Sequence, residues 1–271
     1  MSAHSTLTID LGVEELVFLL RTLRIQTIPG MGDSPTLGAE EEQVQRAMSS
    51  GFNSLRARGW VWIENRETGP TLVIDQVLVA YLGTCGSAKR VLFLSRTPAD
   101  GRLEICYIHF GDKLTVIHSR VQPGVHRFIG TIDVATVSRY ISQMLHLDHQ
   151  PAPSGQAVQI PLDIFEAVAA AVRDKRSAEA TKILVDHNIP EENAKILVGV
   201  LGSLQANTMV AMLHIGQAEQ ASHSEGFSLM QTPTGFWMSS SIVRENEPSL
   251  VHIYPVSAED CGAKLQALWQ D

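Results

Sequence analysis

The chain has 271 residues, enough for two domains or one duplicated unit, with 44% hydrophobic residues and a formal net charge of −8. That apolar content supports a sizeable core and excludes global disorder. The charge is uneven: residues 1–150 carry 14 Lys and Arg against 15 Asp and Glu, and residues 151–271 carry 7 against 14. No domain-sized region is basic, which argues against a nucleic-acid partner.

From the N-terminus, Asp10 reads as a helix cap, followed by Glu14 and Glu15 in the first turn and an apolar stripe of Val13, Leu16, Val17, Leu20 and Leu23. Pro29, Gly30, Gly32 and Pro35 break it. A second helix is expected from near Ala39 to Gly59, opening with Glu40–Glu42 and carrying Val44, Met48, Phe52 and Leu55 on one face. Trp60–Ile74 reads as a hairpin turning at Gly69-Pro70, and Asp75 as the cap of a third helix ending near Gly83. Strands are expected at Val91–Leu94, Leu103–Phe110, Leu114–Arg120 and Val125–Gly130, then a helix over Val134–Leu145. The polar, proline-rich stretch His146–Gly155 reads as a linker, which places the expected halves at residues 1–148 and 149–271.

The second half runs through similar elements. Helices are expected over Leu162–Arg173, from Ser177 to near His187, and from Pro190. Strands follow at Met209–Ile215, Gly226–Gln231, Gly235–Val243 and Leu250–Tyr254, and a last helix starts at Ser257 and reaches Trp269. Leu78-Val-Ala-Tyr-Leu-Gly83 overlies Leu197-Val-Gly-Val-Leu-Gly202 with four identities in six, and Val91–Leu94 overlies Val210–Leu213 at the same offset. Thr131–Leu145 falls over Pro255–Trp269. Together these predict an α+β fold of two tandem related halves, each an antiparallel sheet with helices, arranged around a pseudo-two-fold axis.

Candidate chemistry is sparse. Gly30-Met-Gly32 and Gly83–Lys89 lack the spacing of phosphate-binding loops. His146 and His149, and the strand residues His109, His118 and His126, match no metal motif; no G-x-S-x-G elbow occurs, and Cys85 and Cys106 stand in no activating motif. Three cysteines without a CxxC pair read as reduced, buried residues. The first residues lack a basic segment followed by a long apolar core, so no signal peptide is expected, and no apolar run is long enough to span a membrane. The expectations are no cofactor, no metal, no catalysis and a cytoplasmic location. Two rival readings stand: a winged-helix DNA-binding regulator using Arg56, Arg58 and Arg66, and an enzyme whose site is assembled from dispersed residues.

Three passages resemble the EspG family of type VII (ESX) secretion-associated proteins. They are the Asp-capped apolar helix Asp75–Gly83 after a hairpin, the strand Phe110-Gly-Asp-Lys-Leu-Thr-Val-Ile-His-Ser-Arg120, and Gly226–Gly235 with its Thr-Pro-Thr-Gly turn. The resemblance implies a pseudo-two-fold fold and a cytosolic chaperone or adaptor that shields the apolar tip of a helical secretion substrate. The matching contact positions are Phe227, Met230, Phe236 and Met238, with aromatic and Met side chains suited to an apolar partner. One departure concerns Arg96–Gly101, where the family often has a long partner-contacting loop and this chain has a short one.

Overall fold

The computed structural model describes residues 6–31, 40–147, 151–216, 221–242 and 249–270. The chain divides into two compact units. The first comprises Met1–Phe93, Ile105–Val137 and Leu213–His223, and the second Leu94–Glu104, Ser138–Met212 and Ser224–Asp271.

The elements run β1 (Leu7–Gly12), α1 (Val13–Leu23), α2 (Glu41–Ala57), β2 (Val61–Arg66), β3 (Gly69–Ile74), α3 (Gln76–Ser87), β4 (Arg90–Pro98), β5 (Glu104–Phe110), β6 (Thr115–Gln122), β7 (Val125–Thr131) and α4 (Val134–Leu145). They continue with β8 (Val158–Pro161), α5 (Leu162–Arg173), α6 (Ser177–Asp186), α7 (Glu191–Gly202), β9 (Ala206–Ile215), β10 (Ala221–Thr232), β11 (Gly235–Ile242), β12 (Leu250–Val256) and α8 (Ala258–Gln270). The fold is α+β, as the apolar patterning predicts. No helix among the described residues is long and apolar enough to cross a membrane.

In the first unit β1, β7, β6 and β5 pair in that order, all antiparallel. In the second, β8, β12, β11 and β10 do the same. Each series therefore opens with a short strand laid against the last strand of its own half. Both halves then place helices between that first strand and the rest. The β2–β3 ribbon forms a separate two-stranded sheet with no counterpart among the described residues of the second half.

Two strands lie outside those expected from the sequence, β1 and β8, and both are the short opening strands. Asp10 does not cap α1: the ladder with β7 continues to Gly12↔Val125, so the chain is still extended at Asp10. Its carboxylate instead accepts from Arg127 Nε and Nη2, at 2.8 Å each, which holds its pKa below the usual range. The helix start is closed by Glu15, whose side chain accepts the Gly12 N–H at 2.9 Å. Asp75 does cap α3, accepting from Val77 N at 2.8 Å. Pro190 precedes α7 as its cap residue rather than standing at its first position.

The core of the first unit gathers Leu16 and Leu19 from α1, Leu55 from α2, Leu78 and Leu82 from α3, and Val116 and Phe128 from the sheet. That of the second packs Val168, Leu184 and Leu197 from α5, α6 and α7 on Ile160, Met230, Trp237 and Ile253. The helices therefore bury their apolar stripes on one another and on one face of the antiparallel ladder of their own unit.

Candidate partner-binding site

The four sequence candidates lie on one hairpin. β10 and β11 pair with Leu229↔Met238, Met230↔Trp237 and Gln231↔Phe236 opposite one another. Because side chains alternate along a strand, Met230 and Trp237 share one face, and Phe227, Phe236 and Met238 the other. Thr232 closes the turn: its Oγ1 donates to Gly235 O at 2.9 Å and accepts from Thr234 N at 3.3 Å.

Both faces of this hairpin are covered. Met230 and Trp237 sit in the core formed with α5, α6 and α7. On the opposite face the Tyr254 hydroxyl donates to Met238 Sδ at 3.1 Å. Lys264 of α8 donates to that hydroxyl at 2.9 Å and lies 5.8 Å from the centre of the Phe227 ring. Phe227, Met230, Phe236 and Met238 are 5%, 3%, 0% and 0% exposed. The structure brings the four together but leaves none of them as free apolar surface, because strands this rich in large side chains are packed by helices on both sides. A buried Arg96 next to this hairpin donates to Glu104 at 3.0 Å and to Gln231 at 3.4 Å.

Open apolar and small-residue surface lies elsewhere. On the helical side of the second unit, α6 and α7 leave a groove of about 500 Å³ whose small-residue lining, Ala178, Gly199, Gly202 and Ser203, is flanked by Ser177, Thr181 and Lys195. A Cβ built on Gly199 meets nothing within 4 Å, so the groove floor is backbone there. On the β2–β3 ribbon, Trp62, Ile63 and Leu72 are 43%, 53% and 38% exposed. Sequence reasoning missed the groove because its signal is the absence of side chains at Gly199 and Gly202 on a helix whose other residues read as ordinary core.

The rival readings meet their own geometry. Arg58 is engaged within the first unit, its Nη1 donating to Glu15 at 2.8 and 2.9 Å and its Nη2 to Asp10 O at 2.9 Å. Arg66 pairs with Glu64 at 2.7 Å. Two of the three guanidinium groups assigned to phosphate thus face carboxylates. His109, His118 and His126 do come together on β5, β6 and β7, with His118 Nε2 2.8 Å from His126 Nδ1. Burial pushes the His109 pKa down to about 3, and burial followed by repulsion from the other two imidazoles lowers that of His118 strongly. His146 has left-handed backbone at the end of α4, with φ of 52°, and His149 lies outside the described residues. Among the described residues, no group of three or more His, Cys, Asp or Glu is placed to hold a metal ion. Burial also raises the thiol pKa of Cys85, and that of Cys261 to about 12, far from the range of a reactive thiolate.

A scan against protein-family models found no match to this sequence, and a search of curated proteins found none either. Among solved structures, the chain is similar to the type VII secretion system chaperone EspG5 of Mycobacterium tuberculosis, determined in complex with a PE25–PPE41 dimer. The alignment has a TM-score of 0.66 over 97% of this chain and 95% of that one, at 12% identity. A further solved structure, from Bacillus halodurans, aligns with a TM-score of 0.15 and bears on nothing here. The α+β fold of this protein, across nearly its whole length, is EspG-like.

Proposed function

We propose that this protein is a cytosolic chaperone or adaptor that binds a helical secretion substrate and shields an apolar tip of it before export. The observation that carries the reading is the fold likeness to a secretion chaperone over almost the entire chain, with neither chain leaving a large unmatched segment. In this reading the two halves descend from one duplicated unit. Phe227, Met230, Phe236 and Met238 serve the site from inside, as the packed support that keeps β10 and β11 in place beneath the contact surface.

The contact surface we assign to the α6–α7 groove. Its small residues Ala178, Gly199 and Gly202 let a helix backbone approach closely. Covering an exposed apolar tip removes an aggregation surface and contributes about 25 cal/mol per Å² of apolar area buried. The rim is polar, with Ser177, Thr181, Ser203 and Lys195, and the Thr181 and Ser203 hydroxyls, which donate to Ser177 O and Gly199 O, keep lone pairs to accept from a substrate.

The test is co-expression with helix-bundle secretion proteins encoded in the same genome, followed by size-exclusion chromatography. A stoichiometric complex is expected, lost when Gly199→Leu fills the groove. Complex formation unaffected by that variant would move the site elsewhere, and failure of every helical candidate to bind would remove the reading.

A further inference from the structure

The proline-rich stretch 151–155 reads in the sequence as a linker, yet it is seated on the second unit's core. A Cβ built on Gly155, at φ +149°, would lie 2.5 Å from Trp237 Cη2, 3.0 Å from Cζ2 and 3.5 Å from Ile196 Cγ2. A Cβ on Gly235, at φ +133°, would meet Pro153 Cδ at 3.1 Å and Pro151 O at 3.3 Å. Two glycines in backbone conformations that L side chains rarely adopt thus let an extended segment lie directly against an indole edge and a strand end.

The seating is close but lightly held. Pro151, Ala152, Ser154, Gly155 and Gln156 are exposed, and the prolines have no N–H to donate. Gln156 meets Asn193 across a long 3.5 Å side-chain contact. Beneath the strap, Trp237 is 2% exposed and its Nε1 is buried without a hydrogen-bond partner. Cζ2, which a Cβ at Gly155 would meet at 3.0 Å, is one ring position from the carbon bearing that nitrogen. A buried donor without an acceptor is costly. The cradle therefore combines an aromatic edge, a position that admits no side chain and a donor that is unsatisfied. A proline-rich chain is the complement: it is extended in advance, carries carbonyl acceptors, and has few N–H groups to desolvate.

We infer that the Trp237–Gly235 cradle is a binding site for an extended proline-bearing peptide, filled in the resting protein by its own residues 151–155, which a peptide in trans displaces. With the strap in place the indole N–H stays without an acceptor. Segments with few buried contacts and exposed backbone open at small free-energy cost, so the strap exchanges while the core under it stays folded. The inference is independent of the chaperone reading, since it concerns a ligand class and a cradle distinct from the α6–α7 groove.

The experiment labels the full chain with 5-fluorotryptophan and assigns the Trp237 resonance with Trp237→Phe. In the Pro151→Ser, Pro153→Ser double variant the Trp237 resonance is expected to shift and to become sensitive to solvent isotope. A synthetic peptide of residues Pro151–Ala157 added in trans should return it towards the wild-type position, and the same peptide with serine for both prolines should not. An unmoved resonance in the double variant overturns the strap. A resonance restored by neither peptide, or equally by both, overturns the peptide site. A second measurement needs no variant to fold: indole N–H exchange of Trp237 in the wild-type protein is expected to run about tenfold or more faster than the backbone amides of β11. Equal rates would mean that only global unfolding uncovers the ring, and would sink the proposal.

Discussion

His118 Nε2 lies 2.8 Å from His126 Nδ1, and His109 stacks on the other side of His118 with ring centres 5.8 Å apart. Three imidazoles thus form a row across β5, β6 and β7, with exposures of 0%, 1% and 4% for His109, His118 and His126. The short contact requires one ring to donate and the other to accept, so the accepting ring is neutral. His109 contributes two buried ring nitrogens with no hydrogen-bond partner.

The row predicts acid lability. All three groups have folded pKa values below that of free histidine, chiefly because burial disfavours the charged ring. Below pH of about 6.5 the unfolded chain takes up protons that the folded chain refuses, so stability is full above that pH and falls beneath it. For His109 the loss continues to about pH 3, its folded value. Each fully refusing histidine costs about 1.4 kcal/mol per pH unit, and His126, less enclosed, contributes less. Urea midpoints at pH 7.5, 6.5 and 5.5 should fall steeply across the last interval, and His109→Phe should flatten the fall by about one proton's worth. A flat profile would show that the row is hydrated.

Arg58 and Glu15 make a second prediction. Glu15 is 6% exposed and accepts from Gly12 N, Ser54 Oγ and Arg58 Nη1, so it ties the start of α1 to the end of α2. Removing the guanidinium leaves a buried carboxylate with neutral donors only. Arg58→Ala should cost about 1–3 kcal/mol of folding free energy, less than a fully buried pair because the Arg58 side chain is 39% exposed. Glu15→Gln with Arg58→Ala should recover part of that loss in a double-mutant cycle. A winged-helix reader would instead lose DNA affinity with unchanged stability.

Much of this architecture was legible from periodicity and caps. The α3 cap at Asp75, the helix at Val134–Leu145 and the start of the last helix at Ser257 follow their local signals, the last with Ser257 Oγ accepting from Asp260 N at 3.0 Å. What stayed hidden was set by tertiary pairing. Leu7–Gly12 does alternate, with Leu7, Ile9 and Leu11 against Thr8, Asp10 and Gly12, but the acidic first turn and apolar stripe that follow draw Asp10 into a helix start; Val158–Pro161 spans only four residues, and each lies along the last strand of its half. The hairpin residues Phe227, Met230, Phe236 and Met238 read alike in sequence, and only the helices packed on both faces decide that all are buried. The strap reads as a linker because prolines and glycines mark turns far more often than they mark a seat against an indole.

Phe236 carries the third prediction. Its side chain is fully enclosed, so Phe236→Ala should cost about 3–5 kcal/mol, and Phe236→Asp more, because it adds an unpaired charge. The measurable consequence is a lowered melting temperature and lost expression in the absence of any partner. A Phe236→Asp protein that stays folded with native stability, and fails only in substrate binding, would mean that this ring faces a ligand rather than the core.

Gly199 separates stability from function in the opposite direction. It stands in α7 with open space where a side chain would go, and glycine inside a helix is less favourable than an ordinary residue by about 0.5–1 kcal/mol. Gly199→Leu should therefore raise stability by a few tenths of a kcal/mol or more, while filling the groove between α6 and α7. If that groove receives a helix, the same substitution abolishes complex formation, so the melting temperature and the binding signal move in opposite senses. Gly83 in α3 provides the control, since a Cβ there also meets nothing within 4 Å. Gly83→Leu should stabilise in the same way and leave binding intact. Equal effects of the two variants on binding would show that the loss comes from altered surface apolarity in general, and not from occlusion of the groove.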